Sequence, residues 1–187
     1  MRETLSDLTK GALREISGVF AQMPDDCADE LIDAIVAARR IVLFGCGREG
    51  LQMRGFAMRL FHLGRDATVW GDMSTPAVGS NDLLIVSAGP GDLATARALV
   101  CRAREFGART ALITAQPNAP LAKQVDVVII IPAQTMADDT AANASILPMG
   151  SLFEAAQMLF FEMVVLKLRP LLHETADTMR ARHTNLE

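Results

Sequence analysis

The sequence has few aromatic side chains and no tyrosine. Aromatic residues make up 5% of its 187 residues, although half of all residues are hydrophobic. A core must therefore be packed mainly by aliphatic side chains and methionine, which suits layered α/β folds. A chain of this length is expected to form one domain, residues 1–187, with a sizeable buried core.

Cysteine is also scarce, and its spacing has no pattern. The three cysteines, Cys27, Cys46 and Cys101, include no CxxC pair. An odd, scattered set argues against a structural zinc site and points to a reducing compartment. The first 16 residues contain no apolar segment of the kind that export signals carry. We therefore expect a cytoplasmic protein without a metal site.

Long apolar runs and excess positive charge are absent as well. The longest apolar stretch, residues 152–168, is interrupted by Glu154, Gln157, Glu162 and Lys167, so it is too polar and too short to span a membrane. A helix that is apolar on most faces packs against protein, which predicts a subunit interface as well as a core. The net charge is −4, so no nucleic-acid partner is expected.

Short apolar runs alternate with helical spacing along the chain. The runs predict five strands, at 41–44, 67–70, 83–87, 110–114 and 125–131. Helices are predicted at 3–22, 26–38, 48–63, 92–106, 119–123, 151–169 and from 171 to about 183. This alternation predicts a three-layer α/β fold with a doubly wound, five-stranded parallel sheet. A helical arm, 1–38, precedes the sheet, and C-terminal helices, 151–187, follow it.

Two glycine-rich turns follow predicted strands, at the edge of the sheet where such folds bind ligands. The first, 45–50, matches the G-x-G-x-x-G fingerprint of dinucleotide-binding folds, with Asp66 or Asp72 near the expected acidic position. A nicotinamide-binding unit also needs a helical crossover between its second and third strands. Residues 71–82 are too short and too rich in proline and glycine for one, so no cofactor is expected, and nicotinamide binding remains an alternative.

The second turn, Ser87 to Asp92, opens a predicted helix. Backbone N–H groups of residues 88–92 and the helix dipole could cradle an anion there. The plainer interpretation is a helix N-terminus capped by Asp92. In the first turn, Arg48 is a candidate anion ligand, as is Arg54 one turn and a half later; the alternative for both is a solvated helix face.

Near the C-terminus, two further side chains are candidates for chemistry. Ser151 and Glu154 fit a capping box, in which each side chain bonds the other's backbone N–H. Alternatively, Glu154 is a proton-transfer base, because burial on an apolar helix would raise its pKa. His183 lies in a polar terminal cluster, where a lone histidine is either a surface residue or a catalytic one.

Several segments together resemble the sugar-isomerase (SIS) domain family, and most closely its 6-phospho-3-hexuloisomerases. They are residues 56–64, 74–79, 148–154 and 179–187. The resemblance implies a flavodoxin-like sheet, a homotetramer with sites at subunit contacts, and metal-free interconversion of 3-hexulose 6-phosphate and fructose 6-phosphate through an enediol. It assigns the base to Glu154 and a helper role to His183. The alternative is a non-catalytic SIS module that binds a sugar or sugar phosphate, although no helix-turn-helix pattern accompanies this chain.

Both turns depart from the family pattern. A phosphate-binding serine usually stands where this chain has Glu49, and the second turn usually reads Ser-Gly-Ser-Gly-Glu-Thr rather than Ser87-Ala88-Gly89-Pro90-Gly91-Asp92. A carboxylate ~4 Å from a phosphate charge is repelled by roughly 4 kcal/mol at an effective dielectric of ~20. A phosphate therefore fits here only if Arg48 pairs with Glu49 or if Glu49 points away. The chain either holds phosphate differently, through backbone N–H groups of 88–92, Ser87 and Arg48, or takes a different substrate. Glu49 could instead hydrogen-bond sugar hydroxyls or act in proton transfer. The predicted substrate-binding residues are Gly47, Arg48, Glu49, Ser87, Ala88, Gly89, Gly91 and Asp92.

Overall fold

The computed structural model describes residues 2–140 and 145–186, so residues 141–144 of the predicted 132–150 loop and Glu187 of the terminal motif lie outside the described residues. The helices are α1 (Leu5–Phe20), α2 (Asp29–Ala37), α3 (Gly47–His62), α4 (Ala94–Glu105), α5 (Ser151–Leu171) and α6 (Ala176–Ala181), with a short 3₁₀ helix at Pro120–Gln124. The strands are β1 (Arg40–Gly45), β2 (Asp66–Val69), β3 (Asp82–Ser87), β4 (Arg109–Thr114) and β5 (Val127–Ile130).

The five strands form one parallel sheet in the order β2-β1-β3-β4-β5. This confirms the predicted doubly wound fold, and the order is that of flavodoxin-like sheets. Strand order reverses between β1 and β3, so the crevice at the carboxyl ends of these two strands is the place where such a sheet binds ligands.

Helices cover both faces of the sheet, which explains why its central strands are continuously apolar. One face packs against α1, α2, α3 and α5 around side chains such as Leu43 and Ile85. The other packs against α4 and the 3₁₀ helix around Val42, Leu84 and Leu112. Alternate residues of the three central strands, β1, β3 and β4, thus enter two separate cores, as the period of two in a strand requires.

The connection from β2 to β3, residues 70–81, contains no helix, as predicted. Asp82 begins β3 and fixes the end of this connection, since its buried carboxylate accepts bonds from Gly79 N–H at 2.8 Å and from Arg39 at 2.9 and 3.0 Å. Arg39 lies just before β1, so Asp82 ties the starts of two neighbouring strands together.

The predicted cap of the helix after the second turn was wrong. The N-cap of α4 is Leu93, which makes no side-chain cap bond, and Asp92 instead lies 3.4 Å from Arg97 as an ion pair. In the part of the chain that is described, no helix is long and apolar enough to cross a membrane.

Candidate active site

A cleft of about 220 Å³ lies where β1 and β3 end, between the start of α3 and the start of α5. It is lined by Cys46, Gly47, Arg48, Glu49, Pro90, Leu93, Thr135, Met136, Met149, Gly150, Phe153 and Glu154. The sheet topology thus brings together the first turn, the second turn and the base candidate of the sequence analysis.

Glu49 points into the second turn. Its Oε2 accepts a hydrogen bond from Ser87 Oγ at 2.5 Å, and both carboxylate oxygens accept from Gly89 N–H, at 3.0 and 3.2 Å. Ser87 Oγ in turn accepts from Gln157 Nε2 at 2.6 Å. Ser87 and Gln157 are both fully buried, so this chain of bonds anchors the Glu49 carboxylate from below.

Burial raises the pKa of Glu49, an effect opposed by the bonds from Ser87 and Gly89 and reinforced by the nearby negative charge of Glu154. The two carboxylates therefore influence each other's ionisation across the cleft.

Arg48 does not pair with Glu49, the first of the two conditions for a phosphate, because its partner is Glu154. Arg48 Nε lies 2.9 Å from Glu154 Oε2, and Arg48 Nη1 donates to Ser151 Oγ at 3.0 Å. Nor does Glu49 point away from the turn. The Glu49 carboxylate is stable beside the second turn because hydroxyl and amide donors, rather than a guanidinium, hydrogen-bond to it.

Glu154 lies on the first turn of α5, but the capping-box prediction was wrong. The N-cap is Gly150, whose φ of 79° is left-handed, and it makes no side-chain cap bond. Ser151 is consequently the first residue of the helix, and its hydroxyl accepts from Arg48. The side chain of Glu154 is thus not needed for capping.

The environment of Glu154 suits a base. Its side chain is 11% exposed, burial raises its pKa, and the positive charge of Arg48 opposes that rise. Among the described residues, none has a donor aligned to hydrogen-bond Glu154 Oε2, although Arg48 lies within ion-pair distance. Burial makes a carboxylate more basic, and a neighbouring cation keeps it oriented, so Glu154 can act as a proton acceptor.

Close approach of backbone and side chains explains why residue 89 is glycine. A Cβ on Gly89 would lie 2.8 Å from Glu49 Oε1 and 2.9 Å from the Phe153 ring. Both contacts are shorter than van der Waals separation, so any larger residue would push Glu49 out of the turn.

The other predicted binding residues are more dispersed. Gly47 lines the cleft, whereas Ala88 is buried and donates its N–H to Ile113 C=O. Gly91 and Asp92 line a neighbouring, open cleft of about 390 Å³ with Pro90 and Gln116. Of the second turn, therefore, Pro90 lines the candidate site directly, whereas Ser87 and Gly89 act on it through their hydrogen bonds to Glu49.

His183 lies far from Glu154 within one chain. Its ring stacks on His62 with centroids 5.4 Å apart, and His62 is the last residue of α3. Glu49 stands at the opposite end of the same helix, ~20 Å away at 1.5 Å per residue. A joint role for His183 and Glu154 would consequently need a second subunit, and that role remains a prediction.

Gln157 lies beneath the candidate site and was not singled out by the sequence analysis. It follows Glu154 by one helical turn, and so lies on the same face of α5. Its Oε1 has no hydrogen-bond partner among the described residues although the side chain is fully buried. An amide inside an otherwise apolar run was the available signal, since buried amides must find partners.

A larger cleft of about 470 Å³ lies elsewhere, between the β2–β3 connection and α4, with Trp70, Met73 and Phe106 in its walls. It is mostly apolar and contains neither a buried carboxylate nor an anion-binding turn, so we assign the chemistry to the smaller cleft. Across residues 2–140 and 145–186, no three His, Cys, Asp or Glu side chains are grouped to hold a metal ion.

Comparisons with known proteins identify the family of this chain. The model of the SIS domain family matches residues 34–159. The 3-hexulose-6-phosphate isomerase of Bacillus subtilis is 34% identical over 94% of this chain and 95% of its own length. That of Mycobacterium gastri is 36% identical over 92% of this chain and 86% of its own length.

A solved structure of a related protein has the same fold. A Methanococcus jannaschii protein, for which a function of 3-hexulose-6-phosphate isomerase was inferred, superposes with a TM-score of 0.79 at 27% identity, covering 98% of both chains. The family match and the similarity to these relatives run over most of the chain. The protein therefore belongs to the SIS domain family.

Proposed function

We propose that this protein is a sugar-phosphate isomerase that interconverts 3-hexulose 6-phosphate and fructose 6-phosphate, or a closely related phosphosugar, through an enediol. The observation that carries the proposal is Glu154, a desolvated carboxylate that faces the ligand cleft of a doubly wound sheet. Two similar proteins that span nearly the whole chain are named for this activity, which favours an enzyme over a binding-only SIS module.

The reaction is a proton transfer between neighbouring carbons. Glu154 removes the proton from C3 of fructose 6-phosphate, and the electrons of that bond form a 2,3-enediol as the C2 carbonyl oxygen takes up a proton. The C3 hydroxyl then loses its proton and becomes the carbonyl while the proton held by Glu154 returns to C2. A carboxylate base can perform these steps without a metal. The positive charge of Arg48, 2.9 Å from Glu154, opposes the rise in the Glu154 pKa that burial causes and so favours the ionised base.

The oligomer belongs to the same proposal. Large apolar side chains are exposed along three helices of the single chain: Leu5, Leu8 and Leu13 on α1; Leu51, Met58 and Phe61 on α3; Met158, Met163 and Leu166 on α5. Contiguous exposed apolar surface marks association. We propose a homotetramer in which a neighbouring subunit brings His183 towards the cleft as an acid or hydrogen-bond donor.

We place the protein in the cytoplasm, on the ground that its three cysteines are all free thiols.

The test is to incubate the purified protein with fructose 6-phosphate and follow formation of a 3-keto isomer by ¹³C NMR. Formation of 3-hexulose 6-phosphate, unaffected by prior dialysis against EDTA, is the expected result. A folded protein that converts neither this sugar nor related ketose and aldose phosphates would overturn the proposal.

A further inference from the structure

The Ser87 hydroxyl and the backbone N–H groups of residues 88–91 in the second turn are already occupied by the chain itself. Ala88 N–H donates to Ile113 C=O, Gly91 N–H donates to Ala88 C=O, and Pro90 has no N–H. The remaining two donors, Ser87 Oγ–H and Gly89 N–H, both serve Glu49. Residues 87–91 therefore offer a ligand anion only what Glu49 now holds.

The direction of the hydrogen bonds indicates that Glu49 acts as an anion here. Gln157 Nε2 donates to Ser87 Oγ, which leaves the Ser87 proton for Glu49, and Gly89 N–H converges on the same carboxylate. Two donors aimed at one carboxylate, with a third aligned behind them, stabilise negative charge and oppose the rise in the Glu49 pKa that burial causes. A phosphate bound to a turn of this kind would use the same donors.

We propose that the Glu49 carboxylate occupies the anion-binding donors of the second turn. It thereby determines which end of a ligand lies against that turn. While its carboxylate occupies Ser87 and Gly89, the turn excludes phosphate, and the free lone pairs of Glu49 accept hydrogen bonds from sugar hydroxyls. A sugar phosphate then lies with hydroxyl-bearing carbons against the turn and its phosphate away from it. The inference deepens the proposed function, on which this orientation of the sugar rests.

The shape of the turn supports a permanent rather than an incidental occupant. There is no space for a Cβ on Gly89, because it would lie 2.8 Å from Glu49 Oε1 and 2.9 Å from the Phe153 ring. Ser87 and Gln157 are fully buried beneath the carboxylate. A long side chain held by buried partners is pre-organised, so a mobile phosphate has to displace it at a cost.

Calorimetric titration with inorganic phosphate tests the inference without any turnover. The wild type is expected to show no binding in the low millimolar range. Glu49→Ser, which frees both donors, is expected to bind phosphate at least about tenfold more tightly, and adding Ser87→Ala to it is expected to remove the gain.

Glu154→Gln is the matched control, since it removes one negative charge from the same cleft and leaves the second turn intact. Occupation of the donors predicts a clearly smaller gain for Glu154→Gln than for Glu49→Ser. Equal gains in phosphate affinity for the two variants would show that the cleft carboxylates only repel phosphate by their charge, and would overturn the proposal. So would wild-type protein that binds phosphate as tightly as Glu49→Ser, or a folded Glu49→Ser that gains nothing.

If Glu49→Ser does not fold, as judged by its melting curve, Glu49→Gln replaces it. The amide keeps the shape of the side chain but loses the charge that holds the donors, so a smaller gain in the same direction is expected, and no gain would count against the inference. Phosphate binding is measured without a reaction, so a titration that contradicts the role of Glu49 would not contradict the isomerase proposal. Conversely, an absent isomerase activity leaves the titration interpretable.

Discussion

At the scale of single residues, the cleft holds two carboxylates and one arginine, and the arginine is committed to Glu154. Glu49 depends on hydroxyl and amide donors instead. This division separates two tasks, since Glu154, which is held by an ion pair, can take up a proton, whereas Glu49 is fixed in place by its hydrogen bonds.

Replacing Glu154 with Gln should reduce kcat by about 10²–10⁴-fold, because the general base is lost. The fold should persist, since Gly150 rather than Glu154 caps α5. The Glu154 pKa is raised in the folded state, so its ionisation costs stability above the unfolded pKa of about 4.3, and the variant should melt at an equal or higher temperature at pH 7.

Steady-state kinetics and a thermal melt measure both effects. Glu162→Gln is the control, because Glu162 lies two turns later on the same helix and pairs with Arg59 away from the cleft. A folded Glu154→Gln that keeps turnover would remove Glu154 from the mechanism.

Replacing Arg48 with Gln should shift the pH profile of kcat/KM. The positive charge of Arg48 lowers the pKa of Glu154, so without it Glu154 stays protonated to a higher pH. The acidic limb of the profile should therefore move to higher pH. Arg54→Gln, which disrupts only a pair with Asp72 at 3.5 Å, should leave the limb in place. A limb that is unmoved or lower in Arg48→Gln would contradict the pairing.

At the scale of elements, the starts of β1 and β3 are joined through a buried charge. Three hydrogen bonds converge on Asp82, and the bond from Arg39 is the main reason that the Asp82 pKa lies below its usual range. This contribution to stability is present above the unfolded pKa, near 3.9, and is lost as the pH falls through the lower folded pKa.

Asp82→Asn should accordingly lower the free energy of unfolding by about 1–3 kcal/mol at pH 7, the range for hydrogen bonds to charged groups. The difference from the wild type should shrink at pH 3. Urea titrations at both pH values measure it. Asp66→Asn is the control, since Asp66 is half exposed in its pair with Arg40 and should matter much less. An equal loss at both pH values would exclude the charge as the cause.

Elements were predictable where local pattern decides structure. A continuous apolar run such as 83–87 has few alternatives to a strand covered on both faces, and the observed β3 differs from it by one residue. Caps were less predictable, because Ser151 satisfies the capping-box pattern but the left-handed φ of Gly150 starts the helix one residue earlier.

Contacts between residues that are far apart along the chain could not be predicted from the sequence. The bond from Arg48 to Ser151 spans 103 positions, and that from Ser87 to Glu49 spans 38. Sequence spacing therefore supplied the candidate residues of the cleft, whereas only the folded chain shows which of them pair.

At the scale of the whole molecule, the proposed tetramer determines whether His183 can reach the cleft of a neighbouring subunit. His183 stacks on His62 at the end of α3 remote from the cleft. If a neighbouring subunit supplies it, mixed tetramers refolded together from inactive Glu154→Gln and His183→Ala chains should regain activity, because some sites then contain an intact Glu154 and an intact His183. Unmixed variants at the same concentration are the control. Absence of regain in a verified mixture would contradict a shared site.

The apolar helix faces make a second prediction at this scale. Leu166→Glu places a charge on the exposed face of α5, where the wild-type side chain is 57% exposed in the single chain. Light scattering after gel filtration should show a tetramer for the wild type and smaller species for the variant. Glu105→Gln, on α4 on the opposite face of the sheet, should not change the mass. A wild-type monomer would refute the assembly.

The most direct test of the central claim, that Glu154 drives an enediol isomerisation in this cleft, is deuterium incorporation into fructose 6-phosphate in D₂O, followed by NMR. The account predicts that the wild type exchanges the proton at C3 of fructose 6-phosphate and forms 3-hexulose 6-phosphate, while folded Glu154→Gln does neither. Exchange at C3 by Glu154→Gln at the wild-type rate, or no exchange by a folded wild type, would contradict it.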